Sequence, residues 1–249
     1  MEEHDIKGGA ERVLFILATL ARLGRSVTMA ELIAETGLAK STLYRQLGLL
    51  KRWGFIIDSN NEYLPGPMCV PLAWGFEQSS YLRQEARAEL EQLSQASNES
   101  VGLLVAVNNH VVCLEMIESR QPLRCSFVKG RSLPLLKGAS AKALLAFMTK
   151  ERRFAALEDL LQRSLITADG RAALEAELAR IQAQGHACTA GEVDDGVWGV
   201  SAPVFQLSSH AIAVVTLMAP SLRIGDRAPT LIDMAMRVAA RISSRLQSH

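Results

Sequence analysis

The run TMAELIAETGLAKSTLYRQLGLLKRWGF, residues 28–55, restricts the chain more than any other feature. It predicts two short helices joined by a tight turn. Thr28 is a good N-cap, and Glu31 three residues later completes a capping box. Leu32, Ile33 and Ala34 give the first helix an apolar side, and Gly37 stands where a left-handed residue ends it. In the second helix Leu43, Leu47 and Leu50 recur at i, i+4 and i+7, so they form a buried stripe. That spacing leaves Lys40, Ser41, Thr42, Tyr44, Arg45 and Gln46 on the polar side or at the open N-terminus. From Lys40 to Trp53 there are four basic residues and no acidic one. A helical hairpin with an ordinary solvated face would explain the stripe, but not its coincidence with cap, turn and one-sign charge. The combination suits a helix that enters the DNA major groove, with Thr28, Lys40, Ser41, Thr42, Tyr44, Arg45 and Gln46 as its candidate contacts.

The flanking residues extend the motif. Phe55-Ile56-Ile57 is a short β-type run, Asp58-Ser59-Asn60-Asn61 a turn cluster, and Glu62-Tyr63-Leu64 the return. A hairpin placed there is a wing, and Asn60, Asn61 and Tyr63 are its candidate DNA contacts. Upstream, residues 11–23 are expected to be helical. Val13, Leu14, Leu17, Leu20 and Ala21 suit the domain core, whereas Phe15 and Ile16 point elsewhere and predict a contact with a second copy of the chain.

These residues carry a resemblance. Gly37, Leu38, Lys40, Ser41, Thr42, Tyr44, Arg45, Leu47 and Leu50 match the pattern G-L-x-K-S-T-x-Y-R-x-L-x-x-L of the IclR-type transcriptional regulators. Two later blocks are similar to that family in the right order: Pro134-Leu135 with Ala139 and Lys142-Ala143-Leu144-Leu145-Ala146, then Gly191-Glu192, Gly196 and Ser201-Ala202-Pro203-Val204-Phe205. Leu136, Lys137 and Ala141 depart from the first of these blocks. The resemblance implies an α+β protein with an N-terminal winged helix-turn-helix and a C-terminal GAF-like antiparallel-sheet sensor domain. It also implies a homo-oligomer, dimer or tetramer, on a near-palindromic double-stranded DNA operator, with a small organic acid as effector. Carried across by position, Ala139 and Ser140 would line the effector pocket, with Thr189, Gly199, Thr216 and Met218 as the opposite wall. Physically, Lys137-Gly138-Ala139-Ser140 opens a helix with small residues, so free amides and the positive dipole end could meet an anion. Close helix–sheet packing is the alternative use of Gly-Ala-Ser. Glu192, Asp194, Asp195 and Trp198 are expected in a covering loop, and Arg120, Arg124, Lys129 and Arg131 near the mouth.

The remaining pattern divides the chain into a DNA-binding domain (1–75), a linker helix (76–96) and an effector-binding domain (97–249). Strands are expected at 101–107, 111–117, 123–128, 200–206 and 211–218, and helices at 77–96, 139–149, 151–162, 169–184 and 230–246. A net charge of +1 does not argue against DNA, because binding draws on local Lys and Arg. There is no run of eighteen apolar residues and the first nine are acidic rather than signal-like, so a cytoplasmic protein is expected. Cys69, Cys113, Cys125 and Cys188 form no C-x-x-C pair and read as small buried hydrophobes, with no metal and no cofactor implied. No G-x-S-x-G elbow, P-loop or H-E-x-x-H pair occurs, and Ser140 and Lys142 at i, i+2 do not face each other. No catalytic residue is expected. Two other readings stay open at this point: a small-molecule enzyme in the C-terminal half, or a DNA-bound protein without a ligand.

Overall fold

The capping box at Thr28 forms: its hydroxyl accepts from the Glu31 amide, and the Glu31 carboxylate accepts from the Thr28 amide. It starts helix α2 (Met29–Thr36), which Gly37 ends in the left-handed conformation. Helices α1 (Gly9–Leu23), α2 and α3 (Lys40–Arg52) pack around Ile16, Leu20, Leu32, Leu43, Leu47 and Leu50. Strands β2 (Ile56–Ser59) and β3 (Glu62–Pro65) make the wing, and β3 also pairs with β1 (Val27–Thr28). Asn60 and Asn61 both take positive φ, the twist that a two-residue hairpin turn needs. Gly66 brings the chain back against the end of α3 so closely that a Cβ would lie 2.3 Å from the Gly54 carbonyl. This computed structural model describes residues 8–127, 129–130 and 132–248 and divides into two units, one ending at Ser80 and one beginning at Tyr81.

Three details of the first unit differ from the sequence reading. Ile16, expected to face another copy, is fully buried in its own domain, while Leu14, expected inside, is exposed. The α1 stripe therefore runs through Ile16, Thr19 and Leu20, and Phe15 is half-buried beside it. Gln46 is only 2% exposed, so it lies with the leucine stripe rather than on the open side. The helix expected over 77–96 is two helices, α4 (Cys69–Ser79) and α5 (Tyr81–Ser97), broken at Ser80. Pro71 falls in the first turn of α4, where a missing N–H costs little, so it does not interrupt the helix.

The second unit is a six-stranded antiparallel sheet between helical layers. Strands β4 (Ser100–Val107), β5 (His110–Ile117), β6 (Ser132–Pro134), β7 (Ala187–Ala190), β8 (Val197–Phe205) and β9 (Ala211–Pro220) lie in the order β6-β5-β4-β9-β8-β7. The period of two along β9 sends Ala213, Val215, Leu217 and Ala219 to one face, and Val214, Thr216 and Met218 to the other. On the first face α5 and α9 (Ala228–Gln247) bury Leu90, Leu93, Leu231, Val238 and Ile242. Each such side chain stabilises the fold by about 1.5–3 kcal/mol. The second face is covered by α6 (Ala139–Phe147), α7 (Lys150–Gln162) and α8 (Ala168–Gln184), through Leu144, Leu145, Leu157, Leu178 and Ile181. Buried carboxylates hold α5 in place. Glu89 accepts from Arg241 and Arg245 of α9, and Arg83 donates to Glu115 of β5. No strand forms over 123–128 among the described residues: 124–127 have no regular secondary structure, Val128 lies outside the described residues, and the edge strand is β6. Strand β7 was not anticipated, because four residues show no usable period.

Candidate nucleic-acid interface and ligand cavity

On α3, Lys40, Ser41, Tyr44 and Arg45 are exposed and Thr42 is half-exposed. The helix has no side-chain cap, so its first amides add a positive end to Lys40. The Lys40 ammonium lies 5.9 Å from the centre of the Tyr44 ring. Arg45 has no intramolecular partner among the described residues, which leaves its five donors for an external acceptor. The acids nearest this face are already engaged: Glu35 binds Arg22 and Glu31 binds Arg25. Hydrogen bonds from Arg25 and Thr28 pull the Glu31 carboxyl down to about 2, so it is ionised at neutral pH. Thr28 spends its hydroxyl on that cap. Asn60 and Asn61 sit at the wing tip and Tyr63 behind it. Lys51 pairs with Asp58 and ties the wing to the end of α3. Burial, then the neighbouring Tyr44 and Asp58, raise the Tyr63 pKa.

In the second unit all six residues expected around a ligand line one cavity of about 460 Å³: Ala139, Ser140, Thr189, Gly199, Thr216 and Met218. The sheet register explains their meeting. Thr189 pairs with Gly199 and Gly199 with Met218, while Thr216 stands opposite Ser201 one step along. The pleat turns all of them toward the start of α6. A Cβ on Gly199 would lie 3.9 Å from that of Ala139, so the small residues also set the helix–sheet spacing. The Ser201 and Thr216 hydroxyls share a buried 2.7 Å hydrogen bond. Ser140 is 7% exposed, and its hydroxyl has no protein partner among the described residues. Leu123, Arg124, Cys125, Ser126 and Phe127 close one side, with Leu222 beyond them.

The start of α6 is not an open anion site. Gly138, in a left-handed conformation with φ 86°, donates its amide to the Glu192 carboxylate at 3.0 Å. The other Glu192 oxygen accepts from Lys142 at 2.6 Å, and Lys142 also donates to Glu177 at 2.7 Å. Burial alone would lower the Lys142 pKa, but hydrogen bonds to Glu177 and Glu192 together raise it. The two partners of this lysine lie 35 and 50 residues away in the chain.

Two family profiles cover most of the chain: the IclR helix-turn-helix domain matches residues 9–56, and the bacterial transcriptional regulator IclR C-terminal domain matches 77–244. The chain belongs to the IclR family. It is a DNA-binding transcriptional regulator of that type. It is similar to the HTH-type transcriptional regulator KipR of Bacillus subtilis, 26% identical over 229 residues that span 89% of this chain and 90% of that protein. It shares its fold with a putative IclR regulator from Silicibacter sp. TM1040, with TM-score 0.82 and 24% identity over 96% of both chains. An IclR homolog of Microbacterium hydrocarbonoxydans, crystallised in complex with 4-hydroxybenzoate, superposes with TM-score 0.71 at 21% identity, covering 97% of this chain and all of that one.

In this IclR-family chain Glu192, Asp194 and Asp195 do line the cavity, but Trp198 lies on β8 in the core of the opposite sheet face. Arg124 reaches the cavity, held by Glu118, whereas Arg120 lines a separate groove beside Glu91 and Gln95. Lys129 lies 4.0 Å from Glu115, and Arg131 is outside the described residues. The cysteines are all free, yet Cys113 alone is fully buried, its thiol pushed up to about 11 by desolvation, and Cys188 is exposed. No three His, Cys, Asp or Glu among the described residues form a metal-binding group, and no helix among them is long and apolar enough to cross a membrane. Sequence reasoning missed the Lys142–Glu177 pair and Phe127. Charge alternation on α8 gave no sign of which carboxylate turns inward.

Proposed function

We propose that this chain is a ligand-responsive regulator whose cavity takes a small organic acid and whose α3 helices read a near-palindromic operator. One observation carries the sensing half of this reading. Six residues from α6, β7, β8 and β9 meet around one cavity of about 460 Å³, and the Ser140 hydroxyl lines it. A concave wall of mostly small and apolar side chains with a few placed polar groups favours a small-molecule ligand. The complex of the Microbacterium homolog supports an aromatic carboxylate as one size of guest. Recognition rather than catalysis suits the wall: no histidine among the described residues lines it, and Lys142 behind Glu192 is held by two carboxylates.

For the DNA-reading half, Lys40, Ser41, Thr42, Tyr44 and Arg45 are the proposed major-groove and phosphate contacts, and Asn60, Asn61 and Tyr63 the wing contacts. Gln46 and Thr28 drop out, one buried and the other committed to its cap. A two-fold operator calls for a two-fold protein. The proposed self-contact is α4, none of whose residues is buried and which presents Val70, Leu72, Trp74 and Phe76 to solvent. A helix that is apolar and exposed on this scale marks an interaction surface. The proposed route between the halves runs from the cavity wall at 123–127 through Lys129 and Glu115 to Arg83 on α5, which follows α4 in the chain after the break at Ser80.

A ligand can shift operator affinity only by its differential affinity for two arrangements, typically about 1–3 kcal/mol. Ala139→Leu fills the cavity against Gly199. The operator affinity of the parent is expected to change with some member of a panel of small aromatic and aliphatic carboxylates, and that of Ala139→Leu to be the same with and without it. An equal response in both proteins would place the sensing site elsewhere.

A further inference from the structure

Lys142 is separated from the cavity by one side chain. Lys142 does not itself line the cavity. Glu192 does, and it binds Lys142 with one carboxylate oxygen and the Gly138 amide with the other. A carboxylate therefore already occupies the position where a helix start and an ammonium converge, the combination that best holds an anion.

Lys142 has two carboxylate partners. If Glu192 leaves, Glu177 still neutralises the buried ammonium, so the exchange never strands a charge in the interior. Losing the sole partner of a buried charge costs several kcal/mol, and this arrangement avoids that cost. Glu192 lies on a short connecting segment rather than in a helix or strand. It sits on the segment 191–196 between Gly191 and Gly196, both at positive φ, where a side chain would be strained. The same segment carries Val193, seated over Gly138, and the cavity-lining Asp194 and Asp195. The unpaired Ser140 hydroxyl, on the second residue of α6, supplies the further donor that a small acid would meet.

We propose that Glu192 is a resident carboxylate, holding the anion anchor formed by the Gly138 amide and Lys142 until the carboxylate of an effector replaces it. The inference rests on the reading of this cavity as the effector site. An acid at the anchor faces three carboxylates on one strap, and that like-charge repulsion drives segment 191–196 outward. The effector thereby binds the displaced-strap state more tightly than the resident state, which is the differential affinity a switch needs. It follows that Glu192 sets both affinity and ligand class: weak ligands that cannot outbid it are excluded, and anions gain an ion pair that their neutral isosteres lack.

The test uses the full-length protein, benzoate and its uncharged isostere benzamide, with affinities measured by calorimetry. Glu192→Gln keeps the shape and removes the charge, and Glu192→Ala removes both. In both variants benzoate is expected to bind at least tenfold more tightly than in the parent, with benzamide unchanged. Thermal unfolding verifies that each variant is folded. If both folded variants show the parent's ratio of benzoate to benzamide affinity, or if benzoate binding falls, Glu192 is a plain structural partner of Lys142 and the proposal is overturned. Adding Ala139→Leu to Glu192→Gln separates the two readings. Loss of the gained benzoate affinity supports both. Its survival keeps the resident carboxylate but removes the cavity as its effector site.

Discussion

At the scale of single residues, the reading face is defined as much by what is neutralised as by what is exposed. Arg22 and Arg25 cancel the acids of α2, so the open end of α3 presents Lys40 and Arg45 without competition. Lys40→Ala is therefore expected to weaken binding to all DNA sequences alike and to reduce the slope of log affinity against log salt by about one. Gln46 behaves differently. Its Oε1 is buried without a partner, a situation that typically costs about 1–3 kcal/mol. Gln46→Met is expected to raise the thermal midpoint while leaving operator affinity and its salt slope as in the parent. A weakened operator complex in a stably folded Gln46→Met would return this residue to the interface.

At the scale of elements, legibility followed the length of each periodic signal. Helix α3 and the wing could be read because cap, leucine stripe and an Asn-Asn turn each point to one backbone state. The α1 stripe was misassigned by about one position, which exchanged Leu14 for Ile16, because a helix apolar on several sides does not say which side meets the core. The break at Ser80 was hidden, since alternating Arg and Glu along α5 look the same whether or not a helix precedes them. The cavity wall was legible only through the family pattern: β7 is four residues long, and no local rule brings Thr189 beside Gly199. Ion pairs between distant elements are not encoded locally at all. The buried Arg83–Glu115 pair is one of these, and it fixes α5 to the sheet. Glu115→Ala removes the charge-assisted hydrogen bonds that Arg83 donates to it and is expected to destabilise the protein by about 1.5–3 kcal/mol, read by chemical denaturation. A loss below about 1 kcal/mol would mean that α5 is held by its apolar face alone.

At the scale of the whole molecule, a nearly neutral chain carries its proposed DNA contacts on one helix and wing and its proposed ligand contacts on a separate sheet. The proposed two-fold reading of an operator requires self-association, and α4 is the surface proposed for it. Replacing Trp74 and Phe76 by serine is expected to weaken the dimer at least tenfold in sedimentation, and operator affinity with it. An unchanged oligomer would assign the contact to another surface. The central claim, that the exposed side of α3 reads DNA sequence in a two-fold arrangement, is tested most directly by selecting binding sites from random duplex DNA with the parent protein and with Arg45→Ala, then sequencing the bound pools. The account predicts that the parent enriches two inverted half-sites spaced by about one helical turn or a multiple of it. Arg45→Ala should lose preference at one position in each half-site, at a cost of about 1–3 kcal/mol. A parent pool with no enriched motif, or the same motif at the same strength in both pools, would contradict it.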